Sequence, residues 1–492
     1  MSAPLDRCIA LSSSAEVAER LASVREIETR LASGSMQITD VGLLLRALLK
    51  RLMDRREACR LSACKSLLHL TQLYNCLSND CLPLLIPVIK YRLAGETEPS
   101  EIQRRDLLQL LNVITNRFVD TISVYISEIF DIIVGCLGDR DPDVVFQSCT
   151  NLTEVAKIVP RALSKKAIAC INAVMPILKH RHARLRIAAL DVVAAFMYFG
   201  AGETIRTLAA FREANVVPIA SFYGPEYRTN YFATLVDDPH VKVRSRFYKM
   251  IQGWSIDLPE RIDYETLLAP YLFSGFFDSD EEIQKSTIST IEACGNQYMK
   301  EHEEQFYDEI RFRPDLEKQK PEDSLVLPPL TSRPSLGARL SVRSQMQRLL
   351  PPLLLEISDW RETTRRSSVS LVRMLLLYAE EKAAAHAVDI LTALTSGDDD
   401  ALMCQEALDC VRLIGHNIDP DIWVPFFTVI GDINRKRFAQ TALECFRAGD
   451  PVKIRQHQTR LKSAVRSEPG DPIAEQLMAL LNDLGAELHH TN

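Results

Sequence analysis

Few residues in this sequence have the types and spacing that catalysis or metal binding requires. His302 and Glu303 would begin a zinc-binding helix, but no second histidine follows four residues later, and a helical zinc pair needs one. The pairs Cys59/Cys64 and Cys76/Cys81 do not form a C-x-x-C motif and have no histidine partner at zinc-finger spacing. There is also no glycine-rich phosphate loop. We therefore predict no catalytic residue, no cofactor, no metal site and no enzymatic activity.

The run Asp359–Arg365, with the sequence DWRETTR, is the best candidate for recognition of another protein. It resembles the first turn of TOG domains, helical-repeat arrays in which an exposed tryptophan and nearby basic residues bind tubulin. The candidate partner-binding residues are Trp360, Arg361, Arg365 and Arg366. A tryptophan that only covers the junction between a helix and a turn explains Trp360 as well, so both interpretations stay open.

Basic residues also gather at a second turn, Lys179–Arg186, with the sequence KHRHARLR. This turn could contact an acidic protein surface or tubulin, although solvated turn residues are the simpler interpretation. Arg186, Arg244 and Arg365 occupy equivalent places after their turns. We expect these arginines to pair with the turn aspartate of the neighbouring repeat.

The helices that must carry these residues follow a repeated pattern, seen whole in Leu349–Val372. An apolar helix containing prolines leads to a polar turn, and a second helix then begins with basic and small residues. The turns recur near Asp54, Gly95, Asp139, His180, Asp237, Asp278, Asp359, Gly397 and Asp432. Most intervals are about 35–44 residues, the period of two-helix HEAT or armadillo-like repeats. The predicted fold is therefore all-α, an α-solenoid of such repeats.

Two further patterns define the helices of each pair. Prolines precede several turns, at Pro87, Pro270, Pro351 and Pro425, and their recurrence in register predicts a kink in the first helix. The second helix shows i, i+3, i+4, i+7 spacing most clearly at Leu185, Ala188, Ala189, Val192, Val193 and Phe196. That spacing predicts one buried face.

The domain organisation follows from where the pattern holds. Residues 1–14 are predicted to be disordered, and 15–312 to form an N-terminal HEAT array. Residues 313–338, rich in proline and charge, are predicted to be a flexible linker. Residues 339–447 are predicted to form C-terminal HEAT repeats, and 448–492 a helical cap and tail, because terminal repeats need one polar face.

Composition excludes other classes of function. The net charge of -7 disfavours binding to nucleic acid or to an anionic membrane. The best apolar candidate for a membrane span, Ala188–Ala201, contains Asp191, and the N-terminus has no secretory signal pattern. The twelve cysteines are scattered through helical segments, as expected of free thiols in a reducing compartment. We expect a cytoplasmic protein.

Two segments carry a resemblance to a known family, Tyr271–Phe312 and Arg333–Glu381. Within them lie Gly-Asn-Gln-Tyr at Gly295–Tyr298, Arg-Pro-x-Leu-Gly at Arg333–Gly337, and a Leu-Leu-x-Ala-Glu end at Leu376–Glu380. Together with the Asp359-Trp360 turn, these residues resemble the HEAT-repeat axonemal dynein assembly factors. The resemblance extends over Ala269–Thr428, and the upstream chain shows only generic repeats. Members of that family tend to be longer than this chain, which implies that this chain is a shortened version or comes from an incomplete gene model.

The resemblance implies a function that no residue pattern shows by itself. Such factors are cytoplasmic and non-enzymatic, and they help to assemble outer and inner dynein arms before transport into cilia or flagella. The implied partners are axonemal dynein intermediate and heavy chains, chaperones and co-chaperones. Tubulin is an alternative partner, through Trp360. A HEAT adaptor for transport or for a phosphatase is a further alternative.

Overall fold

The computed structural model describes residues 5–34, 38, 40–94, 97–209, 230–304, 325–358, 362–396, 404–430, 436–464 and 472–486. Within these ranges the regular secondary structure is helical, and no β-strand occurs. The predicted all-α solenoid of two-helix repeats is confirmed.

The chain forms two compact units, Met1–Met250 and Ile251–Asn492. Helices of the first unit are α1 Leu5–Leu11, α2 Val17–Ala32, α3 Val41–Leu52, α4 Glu57–Leu73, α5 Leu82–Leu93, α6 Glu101–Arg117, α7 Val119–Ile122, α8 Ile126–Gly135, α9 Pro142–Ile158, α10 Pro160–Leu163, α11 Ala167–Val174, α12 Ala183–Met197, α13 Thr204–Leu208 and α14 Tyr231–Val236. Helix α15, Val241–Asp257, contains the boundary between the units.

Helices of the second unit are α16 Arg261–Ser274, α17 Glu281–Glu301, α18 Leu336–Glu356, α19 Glu362–Ala379, α20 Ala387–Thr395, α21 Gln405–Asn417, α22 Pro420–Pro425, α23 Lys436–Ala448, α24 Pro451–Gln456, α25 Gln458–Ala464 and α26 Pro472–Ala486. Short 3₁₀ turns continue several first helices, among them Cys136–Gly138, Met175–Lys179 and Gly275–Phe277.

Successive second helices pack against one another, as α4 on α6, α6 on α9, and α9 on α12. The predicted turns at Asp54, Asp139, His180, Asp237 and Asp278 all lie between the helices of a pair. The predicted turns at Gly95, Asp359, Gly397 and Asp432 lie outside the described residues. The predicted period holds from Asp139 to His180 and from Asp237 to Asp278, whereas the interval from His180 to Asp237 is longer.

Several second helices begin at a capping side chain, as α6, α9 and α17 do. Helix α9 begins after Asp141, whose carboxylate accepts the amide hydrogens of Asp143 and Val144, and Pro142 needs no partner at the first helical position. In α12 the predicted face is confirmed, since its members are all buried: Leu185, Ala188, Ala189, Val192, Val193 and Phe196.

The prolines lie inside first helices at Pro87, Pro270, Pro351 and Pro425, as predicted. Two predicted boundaries need correction. The segment 1–14 is not wholly disordered, because Leu5–Leu11 is helical and buries Cys8 and Ile9. Residues 313–324 of the predicted linker 313–338 lie outside the described residues. The end of the predicted linker is ordered, because the Ser335 hydroxyl caps the first turn of α18.

An arginine in the first turns of the second helices joins neighbouring repeats. Its guanidinium donates to the carboxylate of the next turn and to carbonyls of its own turn. The pairs are Arg20 with Asp54, Arg60 with Glu98, Arg104 with Asp139, and Arg186 with Asp238. The predicted pairing is thus confirmed for Arg186, whose two nitrogens lie 2.7 and 2.8 Å from the Asp238 oxygens.

The same carboxylate has a second partner within its own turn. Asp139 accepts the amide hydrogen of Asp141 at 2.9 Å, and Asp238 accepts that of His240 at 2.9 Å. One acidic side chain therefore orders a turn and binds the preceding repeat. The arginine–carboxylate pair that would follow Asp139 is absent, because Val145 stands where the arginine would be and His180 where the carboxylate would be.

One described stretch, Val119–Gly138, is long and apolar enough to cross a membrane by length and composition. It is interrupted by the 3₁₀ turn Ser123–Tyr125. Ile122, Ile129 and Ile133 are each buried in the protein. In this structure the stretch therefore belongs to the helical core.

We predict that Glu98→Gln will destabilise the chain more than Glu154→Gln. Glu98 is buried, and it binds Arg60 at 2.6 Å and also Arg92. Its neutralisation therefore leaves two buried guanidinium groups without a negatively charged partner. The expected loss is about 3 kcal/mol in the free energy of unfolding, measured by urea titration. Glu154 pairs with Lys157 at the surface, and its loss should cost less than about 1 kcal/mol.

The same variant tests pH dependence. Burial raises the pKa of Glu98, but the hydrogen bonds from Arg60 and Arg92 outweigh burial and hold that pKa below its ordinary value of 4.5. The stabilisation is therefore fully present above pH 4.5 and is lost as the pH falls through the lowered pKa. The wild-type chain should lose more stability than Glu98→Gln between pH 5 and pH 3; equal losses would contradict the assignment.

Candidate functional site

The predicted partner-binding residues are only partly visible. Trp360 and Arg361 lie outside the described residues. Arg365 is half-buried and Arg366 is exposed, both in the first turns of α19. Consecutive helical positions point about 100° apart, so the two arginines do not share one direction. Their role in binding stays a prediction.

Helix α19, which carries these arginines, is fixed at its C-terminal end by Glu380. This carboxylate is buried and receives three guanidinium groups. Arg333 binds both oxygens at 2.7 and 2.6 Å, Arg339 binds at 2.7 Å, and Arg343 lies at 3.4 Å. Arg343 also donates to the carbonyl of Ala379 at 3.1 Å. The Glu380 cluster, defined by these four charged residues, thus binds the start and first turns of α18 to the end of α19.

The electrostatics of the Glu380 cluster favour the ion pairs. Burial raises the pKa of Glu380, but Arg333 and Arg339 outweigh it and the pKa lies below its ordinary value. Glu380 also has a positive φ of 52°, a conformation that costs a non-glycine residue about 1 kcal/mol or more. The arginines compensate for that backbone strain.

Next to this cluster, helices α17 and α18 approach through two glycines. A Cβ atom added at Gly295 would lie 2.2 Å from the Ala338 nitrogen, and one added at Gly337 would lie 2.6 Å from the Gly295 carbonyl oxygen. Real Cβ atoms do not come so close to backbone, so glycine is required at both positions.

Three of the motifs that carry the family resemblance therefore meet at one junction. Gly295–Tyr298 supplies the first glycine, Arg333–Gly337 supplies the second glycine and an arginine of the Glu380 cluster, and Leu376–Glu380 supplies its carboxylate. Sequence reasoning found the segments but not the contact. One feature of the sequence could have pointed to this contact. The spacing of Arg333, Arg339 and Arg343 places one cation just before a helix and two in its first turns.

Helix α19 is bound along its length as well. The Ser368 hydroxyl donates to Glu356 at 2.7 Å. Arg373 donates to the Pro328 carbonyl at 2.8 Å and pairs with Asp409 of α21 at 3.0 Å. Helix α19, on which Arg365 and Arg366 lie, is therefore held by polar contacts near its start, in its middle and at its end.

Histidine, cysteine and acidic side chains are the groups of the described residues that could bind a metal ion or act as nucleophiles. No group of three His, Cys, Asp or Glu side chains among them could hold a metal ion. Burial raises the pKa of several thiols, to about 11 for Cys81 and Cys294 and to about 12 for Cys136. A raised pKa disfavours the nucleophilic thiolate.

These features define the class: a HEAT-type solenoid whose ion pairs hold helices in place for protein contacts. A family model described as "Dynein axonemal assembly factor 5-like, TPR repeats" matches residues 12–211 and 227–309. A second, described as "Dynein axonemal assembly factor 5, HEAT-repeat domain", matches residues 326–446. The chain belongs to the dynein axonemal assembly factor 5 family, and the match extends well upstream of the segments that carried the resemblance.

Curated relatives bear the same name. Dynein axonemal assembly factor 5 from Homo sapiens is 27% identical over 78% of this chain and 42% of its own length. The Xenopus laevis protein is 23% identical over 89% of this chain and 49% of its own length. The chain thus spans less than half of these relatives. A solved engineered protein covers 97% of the chain, but its TM-score of 0.43 and identity of 11% carry no argument.

We predict that Glu380→Gln will lower the free energy of unfolding by about 3 kcal/mol, because the buried Arg339 and the half-buried Arg333 and Arg343 would lose their common charge partner. Urea unfolding followed by circular dichroism measures it. Glu381→Gln is the matched control, since Glu381 lies 4.0 Å from Arg343 and is more exposed. Equal effects of the two variants would contradict the importance of the cluster.

We further predict that Gly295→Ala will cost about 1–3 kcal/mol, because the new methyl group would force α17 and α18 apart. Gly135→Ala serves as the control, since nothing lies within 4 Å of an added Cβ there, and alanine favours the helix. Thermal unfolding of both variants distinguishes the close contact from a general effect of adding a methyl group; an unchanged melting temperature for Gly295→Ala would refute it.

Proposed function

We propose that this protein is a non-enzymatic assembly factor for axonemal dynein arms, outer and inner, which binds dynein chains in the cytoplasm before their transport into cilia or flagella. The observation that carries the proposal is family membership over most of the chain. The relatives named for dynein assembly support it.

The physical properties of the fold suit such a role. Stacked helix pairs offer a large surface built from repeated units, and each unit contacts chiefly its neighbours. Such a surface can hold a large client over many weak contacts. The proposed partners are dynein intermediate and heavy chains together with chaperones and co-chaperones, and Trp360, Arg361, Arg365 and Arg366 are proposed contact residues.

The proposal predicts what the protein binds in a cell that is building cilia. Affinity purification of the tagged full chain should enrich axonemal dynein intermediate and heavy chains over a tagged unrelated HEAT protein. Purification from cells without cilia should return chaperones but no axonemal dynein. Recovery of tubulin, transport cargo or phosphatase subunits in place of dynein would overturn the proposal.

Loss of the gene gives an independent test. Axonemes from such cells should lack dynein arms in electron micrographs. Axonemal dynein chains in the cytoplasm should be less abundant, because unassembled chains are degraded. Expression of the wild-type chain should restore the arms. Intact arms and normal beating without the gene would refute the role.

A further inference from the structure

The turn Lys179–Arg186 contains lysine and arginine but no acidic residue. In the four pairs described above, a turn carboxylate binds the arginine of the preceding second helix. Here His180 stands in place of that carboxylate and Val145 in place of that arginine, so the cations of this turn have no acidic partner within it. Burial lowers the pKa of His180, and so do the neighbouring His182, Arg181, Arg186 and Arg184, in that order.

These residues line an open groove of about 450 Å³ between the turns that precede α12 and α15. We call it the basic groove; its polar lining residues are Arg181, His182, Arg184, Arg186 and His240. Two of its arginines already bind carboxylates of this chain, Arg186 with Asp238 and Arg184 with Asp143 at 2.6 Å. Arg181 is exposed, and no carboxylate of the described residues pairs with it.

A second groove, of about 680 Å³, lies between α9 and α12, and Arg246 of α15 also lines it. Small side chains, Ala188, Ala194 and Ala195, help to line it beside the exposed Phe146. Arg184 connects the grooves, since its guanidinium carbon lies 6.0 Å from the centre of the Phe146 ring. The charged residues that line the second groove pair with one another, Arg246 with Asp191 and Lys157 with Glu154. Phe146 and the alanines beside them can therefore contact apolar side chains of a segment whose acidic end lies in the basic groove.

We propose that the basic groove docks an acidic segment of a partner protein, with a carboxylate on Arg181 and apolar residues of the same segment along the second groove. Guanidinium groups bind carboxylates through paired hydrogen bonds, as Arg186 already does here. Nucleic acid fits less well, because the cations are confined to one pair of turns and the chain carries a net charge of -7. The inference goes beyond the dynein role and does not depend on it.

The test uses the full chain and a fluorescein-labelled, glutamate-rich peptide with interspersed leucines. Fluorescence anisotropy should show binding that weakens as salt is raised. Arg181→Glu should weaken it at least about tenfold, because a cation at the docking point becomes an anion. A peptide with glutamine in place of glutamate should bind the wild-type chain as weakly as the acidic peptide binds Arg181→Glu.

Lys65→Glu is the matched control, since Lys65 is an exposed cation of the same unit and the charge change is identical. It should leave peptide affinity within about twofold of wild type. Circular dichroism must show that both variants are folded, and Arg181→Ala, with a smaller loss, replaces Arg181→Glu if that variant is not. No binding of the acidic peptide, or an equal loss in Lys65→Glu, would overturn the proposal.

Discussion

The ion pair between an arginine of one repeat and a turn carboxylate of the next is the contact on which the order of the first unit depends. Apolar faces can slide against each other with little change in energy, but a paired guanidinium and carboxylate accept only one register. In Arg104 and Asp139, or Arg186 and Asp238, the same groups also order the turns. Where the pair is present, it sets both the position of the repeat and the conformation of the turn; α9 and α12 pack together without it.

The second unit uses a different arrangement at its best-defined junction. There the Glu380 cluster gathers three arginines on one buried carboxylate, and the glycine contact brings α17 and α18 together. Three motifs that carry the family resemblance contribute to this junction. Arg365 and Arg366, which are proposed to meet a partner, lie on α19, whose C-terminal end the junction holds.

The sequence predicts the repeat period, the position of prolines inside the first helices and the buried face of α12, because each depends on local spacing. It also predicts the pairing of Arg186, although the partner is Asp238 rather than the neighbouring Asp237. The Glu380 cluster could not be predicted, because Arg333 and Glu380 are 47 positions apart and only packing brings them together. The helix at Leu5–Leu11 was missed because its short apolar run becomes helical through burial against α2.

The glycine contact between α17 and α18 restricts how this junction can change in evolution. Neither Gly295 nor Gly337 can gain a side chain while the partner helix keeps its place. A substitution at one position becomes acceptable only after the helices have separated, which would in turn displace Arg333 and Arg339 from Glu380. Changes at the junction must therefore arise together, so that single-step mutational paths through it are closed.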